Sequence, residues 1–249
     1  MRDRPCIAAF RPPDDRARAA AELIEVAGGT PLIDPMIEPE PTGVLPRSDA
    51  DVTILTSVTA ATLPGLEDWS PGEGRIAAIG PKTAEALEER GITVDCIPET
   101  YTSDGMVSAL ADDVDGARVE LARSDHGSDA LPRGLEDAGA YVHETVLYRL
   151  IRPDEAGRSV EAVIDGDVDA LAFSSSLTVV NFLACAEDLS LSDALGTALD
   201  TIAVGVIGPP TAQTASKAGI EVDVVASEAT FDTLVHELMA TIEERTQSA

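Results

Sequence analysis

The sequence predicts an α/β protein made of two parallel-sheet domains with helices on both faces. Three observations carry that expectation: short apolar runs alternate with amphipathic stretches from end to end, the chain contains an internal repeat, and prolines crowd one early segment. The strand-like runs are residues 6–10, 52–55, 75–79, 92–97, 118–122, 141–150, 170–173, 202–207 and 222–225. Between them the apolar residues recur at three- and four-residue spacing, as in Ala17, Ala20, Ala21 and Ile24 near the start and Leu234, Val235, Leu238 and Ile242 near the end, which is helical periodicity. The repeat aligns residues 79–110 with 207–238 at a constant offset of 128, with 13 identities in 32 positions and no gap. Upstream, Asp51 to Ser57 (DVTILTS) and Asp169 to Ser175 (DALAFSS) correspond at a different offset, each a strand ending in two hydroxyl residues.

Pro31, Pro35, Pro39, Pro41 and Pro46 exclude helix interior and central strand from their stretch. A long β-like run, 141–151, ends before Pro153. If the chain crosses between domains at both places, residues 1–34 and 154–249 form one discontinuous domain, 40–146 form the other, and 35–39 and 147–153 are the linkers. Simple amino- and carboxyl-terminal halves are the rival division. At about 150 residues per domain, the 249 residues suit one or two domains.

The charge excludes several partners. Lys and Arg total 17 against 45 Asp and Glu, a formal charge of −28, and no window holds a basic cluster, so neither nucleic acid nor an anionic membrane is expected as a partner. Of the basic residues only Lys82 and Lys217 are lysines, and the acids are spread along the whole chain. Such a chain repels itself in dilute buffer, but at molar salt the Debye length is about 3 Å and the repulsion is screened. We read this as adaptation to a very salty cytoplasm; an ordinary acidic domain is the bland alternative. Cys6, Cys96 and Cys185 are odd in number and widely spaced, which points to buried, reduced thiols. The first ten residues resemble neither a signal peptide nor a membrane span, so a soluble, cytoplasmic protein is expected.

Several motifs bear on chemistry. Gly80-Pro81-Lys82-Thr83 and Gly208-Pro209-Pro210-Thr211 each open a helix after a strand, and free N–H groups, the helix dipole and the hydroxyls of Thr83 and Thr211 make such ends suited to anions. The bland reading of each is a plain helix start. Thr56-Ser57 and Ser174-Ser175, followed by Ser176, also end strands, and they are either helix caps or hydrogen-bond donors to a ligand. Arg11 and Arg123 fall just past strands, where a parallel sheet delivers its carboxyl ends to a cleft; each is read as a carboxylate ligand or a structural ion pair. Tyr148 either faces a cleft or packs as an apolar body. The Gly72-Glu73-Gly74-Arg75-Ile76-Ala77 segment has the letters of a dinucleotide fingerprint but precedes a strand, so its mechanism is absent. No nucleophile elbow or P-loop occurs, and His126, His143 and His236 lack partners at ligand spacing, so no metal site is expected.

Taken in order, the strand ending in Arg11, the hydroxyl strand ending at Ser57, AAIGPKTAEALEERGI (77–92), the Arg123 segment with Leu131-Pro132, GAYVHETVLYR (139–149), FSSS (173–176) and VIGPPTAQTASKAGI (206–220) resemble uroporphyrinogen-III synthase. The resemblance spans nearly the whole chain. It implies two flavodoxin-like domains joined by a two-stranded β-ladder hinge, a cleft between them, a monomer, and no metal or organic cofactor. The implied reaction cyclises hydroxymethylbilane, a linear tetrapyrrole, with inversion of the last ring. The products are uroporphyrinogen III and water. Ser57, Thr83, Tyr148, Ser175 and Thr211 match cleft-lining positions, and Arg11, Arg123, Ser176 and Gly208 complete the expected substrate-binding set. Tyr148 is the candidate general acid for departure of the substrate hydroxyl. The chain departs from some members in carrying Thr59 and Ala203 where those have basic residues. A two-lobed, non-enzymatic binder of a small anion is the competing class.

Overall fold

A computed structural model describes residues 4–248. The chain opens with β1 (Cys6–Ala9), α1 (Asp15–Val26) and β2 (Thr30–Ile33), and α1 begins where the Asp14 side chain accepts the Arg16 N–H. Next come β3 (Glu38–Pro41), β4 (Val52–Leu55), α2 (Val58–Thr62), a 3-10 turn at Leu66–Asp68 and β5 (Arg75–Ala78). α3 (Pro81–Glu88), α4 (Ser103–Leu110), β6 (Arg118–Ser124), α5 (Ala130–Asp137) and β7 (Tyr141–Ile151) follow. The remainder is α6 (Arg158–Ile164), β8 (Ala170–Phe173), α7 (Ser176–Asp188), α8 (Ser192–Leu199), β9 (Ala203–Val206), α9 (Pro209–Lys217), β10 (Val224–Val225) and α10 (Phe231–Ser248).

These elements form two compact units. Unit 1 takes the residues up to Glu38 and from Ile151 onward, and unit 2 takes Pro39–Leu150. The sheet of unit 1 has the order β10-β9-β8-β1-β2 with parallel pairings, the 2-1-3-4-5 order of a flavodoxin-like sheet. The sheet of unit 2 runs β3-β7-β6-β4-β5; β5, β4, β6 and β7 repeat the same winding in parallel, and β3 is the fifth strand. Pro31 lies on β2 and Pro39 and Pro41 on β3, both edge strands, where a missing N–H breaks no central ladder.

The central strands are buried on both faces, which explains their unbroken apolar runs. In unit 1, Phe10, Phe173 and Phe182 pack together on one face with ring centroids 4.7 to 5.5 Å apart. On the other face α10 lies directly on β9: a Cβ at Gly205 would stand 2.7 Å from Leu238 Cγ, so only glycine admits the helix there. In unit 2, Leu55, Ile76, Ala78 and Ala122 face one side and Val52, Ile54, Ala77 and Leu121 the other.

Hydrogen bonds show what the repeat preserves. Asp95 accepts the Ile76 N–H at 2.8 Å, and Asp223, 128 positions on, accepts that of Val204 at 2.7 Å. Asp51 likewise accepts the Arg118 N–H at 2.8 Å and Asp169 that of Cys6 at 2.6 Å. These four carboxylates pin neighbouring strands in register. They also make β1 the counterpart of β6 and β2 that of β7, so unit 1 is a circular permutation of the β4-to-β7 order.

One strand expectation is corrected. Residues 92–97 are not a strand but meet β5 at one bridge, Ala77 with Cys96, because the N–H groups of Asp95 and Cys96 both reach Ile76 O and Pro98 has none to continue the ladder. The segments expected as linkers, 35–39 and 147–153, run into β3 and through the end of β7, which are sheet neighbours as a two-stranded ladder requires. Cys185 is buried but Cys6 and Cys96 only partly so, and all three are free thiols.

Candidate active site

In a doubly wound sheet, ligands bind outside the carboxyl ends of the strands where the winding reverses. That point lies between β4 and β6 in unit 2 and between β1 and β8 in unit 1.

In unit 2 the end of β4 passes into Ser57, whose extended backbone lets its Oγ accept the Ala60 N–H at 3.0 Å and cap α2. Ser57 Oγ also lies 3.0 Å from the phenol oxygen of Tyr148, 91 positions away on β7. β6 delivers Arg123 and Ser124 alongside. These residues line a cavity of about 350 Å³ together with Thr56, Ile79, Tyr101, Thr102, Ser103, Gly127, Ser128 and Leu131. Its wall carries hydroxyls and one guanidinium but no carboxylate, in a chain with 45 acidic residues. A larger hollow of about 770 Å³ lies along β3 and β7, but three carboxylates, Glu40, Asp125 and Glu144, line it against Arg149 and His143, a net adverse field for an anion.

Arg123 is 7% exposed, donates to Ser128 O at 2.5 Å and forms an ion pair with Glu144 of β7. A Cβ at position 127 would stand 2.5 Å from its Nη1, so Gly127 is what lets the guanidinium lie there. Tyr101 lies over Gly80, where an added Cβ would meet the ring at 3.4 Å, and is itself largely exposed.

In unit 1 the corresponding strand ends carry the expected hydroxyls in mostly structural employment. Ser175 caps α7 in a reciprocal capping box with Thr178, and Ser174 donates to Phe10 O at 3.0 Å. Ser176 donates to Pro210 O at 3.1 Å, which joins the start of α7 to the Gly208–Thr211 turn. Arg11 sits 5.1 Å above the Phe231 ring. Burial pushes its guanidinium pKa down, nearby Arg16 adds to this, and Asp14 partly offsets it.

Of the expected residues, then, Ser57, Arg123 and Tyr148 share one cavity. Thr83 and Thr211 lie in the first turns of α3 and α9, each only 3% exposed. Tyr101, Thr102, Ser103, Ser124 and Ser128 were missed by sequence reasoning, although TYTS (100–103) and Ser124 to Ser128 are hydroxyl-rich segments at strand or helix ends. Among the described residues no group of three or more His, Cys, Asp or Glu is placed to hold a metal ion, and no helix is long and apolar enough to cross a membrane.

Comparison with known proteins agrees with this geometry. The family model described as "Uroporphyrinogen-III synthase HemD" matches residues 18–236. A protein of Methanothermobacter thermautotrophicus named "Putative uroporphyrinogen-III synthase" is 36% identical over 230 residues, covering 86% of this chain and 90% of its own length. One of the same name from Archaeoglobus fulgidus is 34% identical over 187 residues, covering 74% and 77%. Among solved structures, the Helicobacter pylori uroporphyrinogen-III synthetase superposes with a TM-score of 0.63 at 15% identity, covering 96% of this chain and 99% of its own. A variant of the Thermus thermophilus enzyme gives 0.58 at 22% identity, covering 98% and 100%. The two structural likenesses speak to the fold; the family model and the archaeal relatives show that the chain belongs to the uroporphyrinogen-III synthase family.

Proposed function

We propose that the chain cyclises hydroxymethylbilane to uroporphyrinogen III and water, with Tyr148 as the general acid. The observation that carries this reading is the Ser57–Tyr148 hydroxyl pair, 3.0 Å apart, in a cavity free of carboxylates. The substrate is a polycarboxylate, and a wall of neutral hydroxyl donors suits it, the Arg123 charge being balanced by Glu144. Ser57 Oγ already accepts the Ala60 N–H, so donating its own proton to Tyr148 leaves the phenol proton free to point into the cavity. The step is departure of the substrate hydroxyl: the carbon–oxygen bond breaks, the oxygen takes the Tyr148 proton and leaves as water. The substituted carbon of the last pyrrole then attacks the electron-poor carbon left behind, and the attacking carbon's older bond to the neighbouring ring's methylene breaks. The freed methylene is taken by the last ring's open α-carbon, and the proton lost there restores the Tyr148 phenol. The protein's further task is to hold the chain folded for that attack, a matter of positioning. Ser175, Ser176, Gly208, Thr83 and Thr211 are proposed to lie along the path of the substrate's acidic arms. The setting is proposed as a saline cytoplasm, which fits the net charge of −28.

The test supplies enzymatically made hydroxymethylbilane in molar salt and separates the type I and type III products. The type III isomer is expected. The spontaneous type I isomer alone would sink the reading and leave a non-enzymatic anion binder. Tyr148→Phe is expected to lower kcat by about a hundredfold, the low end for general acid catalysis, while product affinity changes little. An unchanged kcat removes Tyr148 from the acid role.

A further inference from the structure

We infer that Arg11 is a binding residue for a carboxylate arm of the substrate, whereas Arg123, its counterpart in unit 2, is neutralised from within the fold. The inference rests on the reading of the substrate as a polycarboxylate. Its argument comes from register. Cys6 and Arg118 are pinned by equivalent aspartates, and Arg11 and Arg123 each stand five positions further along. Three positions past the pins, Ala9 pairs with Ile33 of β2 and Leu121 pairs with Glu144 of β7. Glu144 is the carboxylate that holds Arg123. In unit 1 an alkyl side chain stands in its place, so the same cation has lost its internal partner.

Among the described residues no carboxylate forms an ion pair with Arg11, and Asp14 acts on it only from a distance. Asp14 is engaged by Arg16 at 2.6 Å and Asp15 by Arg18 at 3.1 Å. The Nε of Arg11 is buried and has no hydrogen-bond partner among the described residues. Phe231 covers one face of the guanidinium, which leaves its in-plane N–H edge as the direction from which an acceptor can approach. The residue as a whole is only partly buried although Nε itself is not, so the carboxylate approaches from the Nη end of the fork. A planar fork half out of water and lacking an anion is matched by a carboxylate taken bidentately.

The experiment compares the unsubstituted chain with Arg11→Gln, and with Arg133→Gln, an exposed side chain of α5, as a charge-matched control. KM for hydroxymethylbilane is expected to rise about tenfold in Arg11→Gln with kcat within about twofold, the low end for a charged hydrogen bond. Arg133→Gln is expected to match the unsubstituted chain in both. The second readout needs no turnover: citrate, a tricarboxylate probe, is titrated at constant ionic strength while the thermal midpoint is followed. The citrate-dependent rise is expected in the unsubstituted chain and in Arg133→Gln, and at least halved in Arg11→Gln. If Arg11→Gln does not fold, Arg11→Met, which keeps the stem packed on Phe231, takes its place with the same expectations. Equality of the Arg11 variant with the control in both KM and citrate response overturns the inference. If the unsubstituted chain forms no type III product, the synthase reading falls and the citrate comparison alone decides for or against Arg11.

Discussion

The two units share a skeleton and differ in what fills it. Asp95 with Asp223 and Asp51 with Asp169 make the same backbone hydrogen bonds in both, so strand spacing and register are held alike. The side chains between those pins diverge. Unit 1 has three phenylalanines packed against one another and a glycine that brings α10 onto β9. Unit 2 has a buried Glu120, bonded by Thr145 and by His143 at 2.7 Å, and a cavity walled by hydroxyls. A duplicated fold therefore needs few fixed contacts, and the remainder is free to specialise. An acidic residue kept in both copies marks geometry, while one present in a single copy marks a local task.

Substitutions in matched positions sharpen this contrast. The largest effect is expected at Asp34, which is 1% exposed and accepts from Ser159 N at 2.8 Å, Ser159 Oγ at 2.5 Å and Gly157 N. Asp34→Ala strands those donors at the start of α6 and is expected to cost about 3 kcal/mol. Its counterpart Thr145→Val deprives Glu120 of one donor and is expected to cost about 2 kcal/mol. Urea denaturation measures both, with Trp69 fluorescence reporting unit 2; Thr145→Val costing more than Asp34→Ala would break the ordering.

Gly205 and Ala77 occupy equivalent places on β9 and β5. Gly205→Ala is expected to cost about 2 kcal/mol by forcing α10 outward, and Ala77→Gly about 1 kcal/mol. Amide hydrogen exchange locates the damage: protection should fall along α10 in the first and along β5 in the second. The aspartate pins come next. Asp95→Asn and Asp223→Asn are each expected to cost about 1 kcal/mol, and a difference above about 1 kcal/mol between them would deny that the two do the same work. The smallest effect concerns salt. Arg11 apart, uncharged donors hold the substrate while the net charge of −28 repels it, so KM is expected to fall about threefold between low and molar salt as screening grows. A KM that climbs steadily with salt would count against this account.

Strand and helix order was legible because apolar runs and helical spacing are local signals, and the 128-residue repeat was legible because β9, α9 and α10 each begin 128 positions after β5, α3 and α4. The correspondence of β1 with β6 was not, since it appears only when Cys6 and Arg118 are seen to be pinned alike. Ser57, Arg123 and Tyr148 were each marked by position at a strand end, but their meeting depends on β7 lying beside β6. Residues 92–97 misled because their alternation is strand-like, while the doubled contact on Ile76 O and the proline at 98 allow one bridge only.

The split course of unit 1 has a consequence during synthesis. Ile7 of β1 pairs with Ala170 of β8, so the first strand must wait for 163 further residues before this neighbour exists. At about 5 to 20 residues per second on a ribosome, that delay is about 8 to 33 s. Unit 2 has by then emerged whole, with every strand of its sheet present. The nascent chain thus carries an unfinished β1–β2 pair past a completed unit, and any factor that shields exposed strand edges has its longest opportunity there.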